Sequence, residues 1–196
     1  MPTQVERTEA TTSELIEAAR TLFGAAGYAA TSVDAIVDAA EVTKGALYHH
    51  FNSKDRLFEA VFEREQQRLA RSILTATRSV DDPFERICVG NRTFLRSLLD
   101  PATARITMID APAVLGLERL REIESRYTTA LLQRGLRDAA EAGQLKPGDL
   151  DARSALIVGA LCDAGVFVAR AANSRRALKT VLAEAELLME AFREQR

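Results

Sequence analysis

Two short segments, one following Ser32 and one running from Lys44 to about His50, constrain this chain more than any other feature. Each is opened by a hydroxyl residue, Ser32 or Thr43, of the kind that caps a helix N-terminus. Val33, Ile36, Val37 and Ala40 give the first an apolar side, and Leu47 and Phe51, four residues apart, do the same for the second. Ala39-Ala40-Glu41-Val42-Thr43 joins them. Short helices connected in this way have the spacing of a helix-turn-helix, whose platform pushes the N-terminal end of its second helix into the major groove of a duplex.

The flanking sequence predicts helix throughout. Thr11-Thr12-Ser13-Glu14 matches a capping box, so a first helix is expected from near Thr11, with Leu15, Ala19, Leu22, Phe23 and Ala26 at helical spacing and Gly27 as its stop. A long fourth helix is expected from Lys54 to about Arg78, ended by the linker Ser79-Val80-Asp81-Asp82-Pro83. Further helices are expected at about 84–99, 102–114, 117–142, 151–172 and 175–194. The fold class is therefore all-α: a three-helix N-terminal domain over 1–60, extending into the helix 54–78, and a larger helical domain over 61–196. At 47 % hydrophobic and 28 % charged, 196 residues can bury a stable core without staples. Cys88 and Cys162 lack CxxC spacing, which excludes a zinc ribbon, and they read as small core residues. The apolar stretch 155–169 counts fifteen residues and contains Asp163, so it reads as a buried helix rather than a membrane span. The N-terminus shows no signal-peptide pattern, and a cytoplasmic location is expected.

Thr43-Lys44-Gly45-Ala46 offers a hydroxyl, a long cation and two small residues, which lets backbone amides approach phosphates and base edges. Tyr48 and His49 follow on the outward side, and Lys54 opens the next helix. The runs Thr31-Ser32-Val33-Asp34-Ala35-Ile36-Val37 and Thr43-Lys44-Gly45-Ala46-Leu47-Tyr48-His49-His50-Phe51-Asn52-Ser53-Lys54 resemble the DNA-binding domain of the TetR family of transcriptional regulators. Ala18-Ala19-Arg20-Thr21-Leu22-Phe23-Gly24-Ala25-Ala26-Gly27-Tyr28 resembles that family's first helix. The resemblance implies double-stranded operator DNA as partner, with Thr31, Thr43, Lys44, Tyr48, His49, His50 and Lys54 at contacting positions and Ser32, Gly45 and Ala46 beside them. Glu41 departs from the family's pattern, which has glycine at that turn. Residues 1–60 carry five Lys and Arg against nine Asp and Glu, a net charge of −4, so the usual basic footprint of a DNA-binding domain is missing. Placement is the expected resolution, with Lys44, Lys54 and Arg56 gathered around the recognition helix.

The segment 151–172 is apolar on more than one face and needs cover on both sides. With the last helix it predicts a two-fold, four-helix homodimer interface through Leu156, Gly159, Ala160, Val166, Leu178, Leu182, Leu188 and Met189. The resembling family dimerises in the same region and keeps a small-molecule pocket in its middle helices. Asn91, Phe94, Met108, Asp110, Leu115, Tyr127, Asp163 and Phe167 are the candidates to line such a pocket, Asp110 serving either as a polar anchor or as a turn residue. No catalytic motif appears, both histidines lie in the DNA-binding head, and adjacent His49 and His50 do not share a face for a metal. An enzyme, a cofactor and a metal site are not expected. The expectation is a ligand-responsive repressor, with a ligandless DNA-binding or protein-interaction dimer as the alternative.

Overall fold

The computed structural model describes residues Gln4 to Glu194, all but a few of them helical or in short turns. Compact packing groups them into two units: one takes the chain up to Glu65 with Pro101–Leu120, the other Gln66–Asp100 with Arg121 onward. This grouping is discontinuous in sequence, because long helices cross from one unit to the next.

The first unit begins with α1 (Gln4–Ala26), followed by α2 (Val33–Ala39), α3 (Lys44–Phe51) and the first half of α4 (Lys54–Thr77). The capping box at Thr11 is not a helix start, since α1 begins seven residues earlier and carries Thr11 in its interior. The other local signals hold. Gly27 ends α1 at φ 87°, and the side chains of Ser32 and Thr43 accept the amides of Ala35 and Ala46, each at 3.1 Å. At the α2–α3 turn Glu41 lies at φ 54°, and Val42 N donates to Val37 O at 3.0 Å while Glu41 N donates to Asp38 O at 3.2 Å. This is a Schellman motif with a side chain where glycine is free of strain. Leu15, Phe23, Ile36, Leu47, Phe58 and Phe62 are fully or almost fully buried and form the core of the unit.

Pro101–Leu120 completes this unit with α6 (Pro101–Ala104), a π-helical turn over Arg105–Asp110, and the start of α7 (Ala111–Arg126). The single helix expected over 102–114 is thus three conformations in series, with Gly116 at φ 74° breaking α7 near the expected gap. A Cβ on Gly24 would lie 2.4 Å from Ala102 Cβ, so α1 and α6 touch backbone to backbone. Asp110 Oδ2 accepts Tyr28 N at 2.9 Å, which ties the π turn to the end of α1.

In the second unit the rest of α4 packs with α5 (Pro83–Ser97), α8 (Thr128–Glu141), α9 (Leu150–Arg170) and α10 (Ser174–Phe192). Asp82, Asp149 and Asn173 cap α5, α9 and α10 by accepting the amides of Glu85, Ala152 and Arg176. The helix expected over 117–142 is two, separated at Tyr127 (φ −126°, ψ −90°). No proline or glycine marks that break. It is held from α4, where Gln67 donates to the Tyr127 hydroxyl at 3.1 Å and Gln66 Oε1 accepts from Thr128 at 2.9 Å. Helix α9 has 21 residues, close to the expected span 151–172, and it is long and apolar enough to cross a membrane by length and composition. Ile157, Leu161, Gly165 and Val168 nevertheless pack into this unit, and buried Arg153 stacks on Phe192 and donates to Lys146 O at 3.0 Å.

Glu41→Gly should stabilise the protein by about 0.5–1 kcal/mol, since relief of the left-handed side chain exceeds glycine's added unfolded-state entropy. Urea unfolding followed by circular dichroism measures it. Gly24→Ala should cost at least about 2 kcal/mol in the same assay, because the new methyl meets Ala102 head on.

Candidate nucleic-acid interface and cavity

Helix α3 is mounted by its buried side and open on the other. Leu47 and Phe51 face inward, while Thr43, Lys44, Gly45, Tyr48 and His49 are exposed, as is Ser32 at the start of α2. Ala46 is half-buried and its amide serves the Thr43 cap. The position of a Cβ on Gly45 has only the Thr43 hydroxyl near it, at 3.7 Å, so nothing inside the protein demands glycine there. Lys44 Nζ pairs with Asp34 at 2.5 Å, and that hydrogen bond, reinforced by the charge, raises the lysine above its ordinary pKa. Both partners are exposed, so a competing anion can replace the carboxylate at little cost.

Three expected contact residues turn toward the protein instead. The buried Thr31 hydroxyl donates to Gly27 O at 2.8 Å, and His50 Nδ1 lies 3.2 Å from the Thr12 hydroxyl. Lys54 Nζ donates to Tyr28 O at 2.9 Å and Thr31 O at 2.8 Å, and sits 4.0 Å from the centre of the Tyr28 ring. That ring packs with Phe23 and Phe58 at centroid distances of 5.6 and 5.2 Å. Its hydroxyl donates to Asp55, and burial followed by this bond raises the phenol's pKa. Arg56 pairs with Glu59 at 3.0 Å. The cations expected to gather around the recognition helix are therefore all engaged, and Lys54 is a clamp on the α1–α2 loop.

The second unit contains an open-sided cavity of about 430 Å³ among α4, α5, α8, α9 and the end of α7. Ile73, Leu74, Ile87, Leu131, Leu132 and Leu161 supply most of its apolar wall. Of the expected lining residues, Asn91 and Phe94 are present. Asn91 is 8 % exposed, and its Nδ2 has no hydrogen-bond partner among the described residues. Met108, Asp110 and Leu115 belong to the first unit, and Tyr127 is turned to Gln67. Asp163 and Phe167 lie on the exposed side of α9. Glu124 and Cys162, which composition did not single out, line the cavity together with Thr128. Arg121 Nη1 donates to Glu124 at 2.9 Å and to Cys162 Sγ at 3.7 Å. Burial pushes both the Glu124 carboxyl and the Cys162 thiol upward, against the pull of that arginine. The signal for the cavity wall was the helical recurrence of Ile87, Gly90, Asn91 and Phe94 on one side of α5.

Helices α9 and α10 leave an apolar face uncovered. Leu156, Phe167 and Leu187 are 65, 60 and 65 % exposed, with Ala160 and Leu188 also open to solvent. A Cβ on Gly159 would meet nothing within 4 Å. Val166 and Leu182 are half-buried, whereas Leu178 and Met189 point into their own subunit and support this face from behind.

Replacing Lys54 by Met should lower stability by about 1.5–3 kcal/mol, the worth of charge-assisted hydrogen bonds to two carbonyls. Arg56→Met should stay within about 0.5 kcal/mol in the same denaturation series.

Two family profiles match the chain: that of the bacterial regulatory proteins of the tetR family over residues 15–61, and that of the tetracyclin repressor-like C-terminal domain over 84–192. The HTH-type transcriptional regulator TtgR of Pseudomonas putida is 32 % identical, over 78 % of this chain and 76 % of its own length. The transposon Tn10 TetC protein of Escherichia coli is 29 % identical over 80 % and 79 %. The crystal structure of a TetR-family transcriptional regulator from Pectobacterium atrosepticum superposes with a TM-score of 0.84 at 29 % identity, covering 99 % of both chains.

Proposed function

Because the chain belongs to the TetR family of transcriptional regulators, we propose that it is a homodimeric, cytoplasmic repressor whose grip on an operator is loosened by a small organic effector. The exposed side of α3 is the reading surface, with Lys44, Gly45, Tyr48 and His49 directed to DNA. On DNA, a phosphate takes over Lys44 from Asp34, and the open space at Gly45 admits the backbone of the duplex. Ser32 and Thr43 keep their amide-capping bonds while their exposed hydroxyls stand at the groove edge. Thr31, His50 and Lys54 act behind this surface by holding its loops.

The exposed face of α9 and α10 is where the second subunit docks. Leu156, Ala160, Phe167 and Leu187 form a continuous apolar strip there, with Gly159 leaving room for close helix approach. Dimerisation places two α3 helices on half-sites about 34–36 Å apart.

One observation carries the effector half of this reading: an apolar cavity containing the buried, unpartnered amide of Asn91. An unpaired buried donor costs about 1–3 kcal/mol, a cost that a ligand acceptor removes. The cavity wall uses Ile73, Leu74, Thr77 and Arg78 of α4 and Glu124 of α7, and both helices continue without a chain break into the unit that carries α3. A ligand that binds one arrangement of these helices more tightly shifts the population toward it, and full switching needs a difference of about 5.5 kcal/mol. A ligandless dimer is the competing reading. A thermal-shift screen against small organic molecules separates the two, because the ligandless dimer shows no stabilisation that Asn91→Leu abolishes.

Lys44→Ala should weaken binding to an operator selected from random duplexes and lower the salt slope by about 1, with the melting temperature unchanged. An unaltered slope in fluorescence anisotropy would remove α3 from the interface. Phe167→Glu and Gly159→Leu should each give monomers in sedimentation velocity, since both side chains enter open space in the single subunit. A persistent dimer moves the subunit contact elsewhere.

A further inference from the structure

The geometry points to an apolar organic anion as the occupant of the cavity, its acidic group held at the end where Arg78 and Arg134 stand. This rests on the reading of the cavity as an effector site and assigns the chemical class of the effector.

Three guanidiniums share one end of the cavity. Arg86 Nη1 donates to Asp138 at 3.3 Å, and Arg134 lies one turn before Asp138 on the same helix. Arg86 Nε also donates to Val80 O at 3.2 Å, two residues beyond Arg78. Arg78, Arg86, Arg134 and Asp138 all line the cavity. Asp138 is committed to Arg86, whose remaining donors hold the carbonyls of Val80 and Asp81. The side chains of Arg78 and Arg134, both exposed, have no ion-pair or hydrogen-bond partner among the described residues. Two guanidiniums are therefore available to a bound anion.

The remaining charge in the cavity does not oppose this. Glu124 stands before α8, about 15 Å of helix away from Asp138 at 1.5 Å per residue. It is paired with Arg121 at 2.9 Å, which offsets its charge. The field along the cavity thus runs from neutral and apolar to positive. Ile73, Leu74, Ile87, Phe94 and Leu161 offer no donors, so a small hydrated anion such as phosphate would use only the arginines and gain nothing from the apolar walls. An apolar body with one carboxylate or sulfonate satisfies both ends: its hydrocarbon replaces water against the walls, and its anion gains a planar, bidentate partner.

A matched pair of dyes tests the assignment on the full chain. 1-Anilinonaphthalene-8-sulfonate and N-phenyl-1-naphthylamine share their aromatic body and differ in the sulfonate. Fluorescence titration should show the sulfonate binding at least ten-fold more tightly, and the double substitution Arg78→Gln with Arg134→Gln should remove that advantage and leave the neutral dye unchanged. Gly90→Leu, whose new side chain is directed at Ile73 of the cavity wall, should abolish both. Thr129→Phe, also on the wall, supplies a second filling variant should Gly90→Leu unfold. Equal affinities for the two dyes, or a sulfonate affinity that ignores the arginine substitutions, overturn the anionic assignment; if the filling variants still abolish binding, the effector-site reading stands. Binding of both dyes that survives both folded filling variants overturns the two readings together.

Discussion

A helix of eight residues has no stability of its own in water, because nucleation consumes more backbone freedom than two turns of hydrogen bonds return. Helix α3 is such a helix, and the first unit can be understood as the apparatus that holds it. Leu47 and Phe51 anchor one side in the core, the Thr43 cap closes its start, and the Schellman turn at Glu41 sets its angle to α2. Behind it, Lys54 fastens the α1–α2 loop through two carbonyls and the Tyr28 ring. A residue whose charge suggested phosphate is thus engaged by two carbonyls and a ring, and the side chains left outward are those of the first turns of α3.

The acidic balance of residues 1–60 follows from the same arrangement. Asp34 neutralises Lys44, Glu59 neutralises Arg56, and Asp55 takes the Tyr28 hydroxyl. Little free positive potential remains to draw the domain to arbitrary duplex, since nonspecific affinity is almost wholly an ion-release term. In the proposed reading, recognition depends on contacts that displace Asp34 from Lys44, which ties affinity to fit.

The second unit answers the opposite demand. Helix α9 has more apolar surface than its own subunit covers, so Leu156 and Phe167 remain exposed while Ile157 and Leu161 are buried. Between α9 and the pair α5–α8 lies a cavity with one buried, unpartnered donor, the Asn91 amide, and with the exposed guanidiniums of Arg78 and Arg134 on its wall.

The features legible from residue order alone are those whose cause lies within a few positions. The hydroxyl caps at Ser32 and Thr43, the stop at Gly27 and the linker before Pro83 are decided by local backbone chemistry. The same locality misplaced the start of α1, where a capping-box pattern lies inside a helix, and missed the break at Tyr127, which is held by glutamines some sixty positions away. Tertiary packing alone decided that Lys54 meets two carbonyls, that Asp110 accepts the Tyr28 amide, and that Arg78, Arg86 and Arg134 line one cavity. A side chain's partner is set by what the fold brings within about 3 Å, and periodicity along one helix carries no information about the neighbouring one.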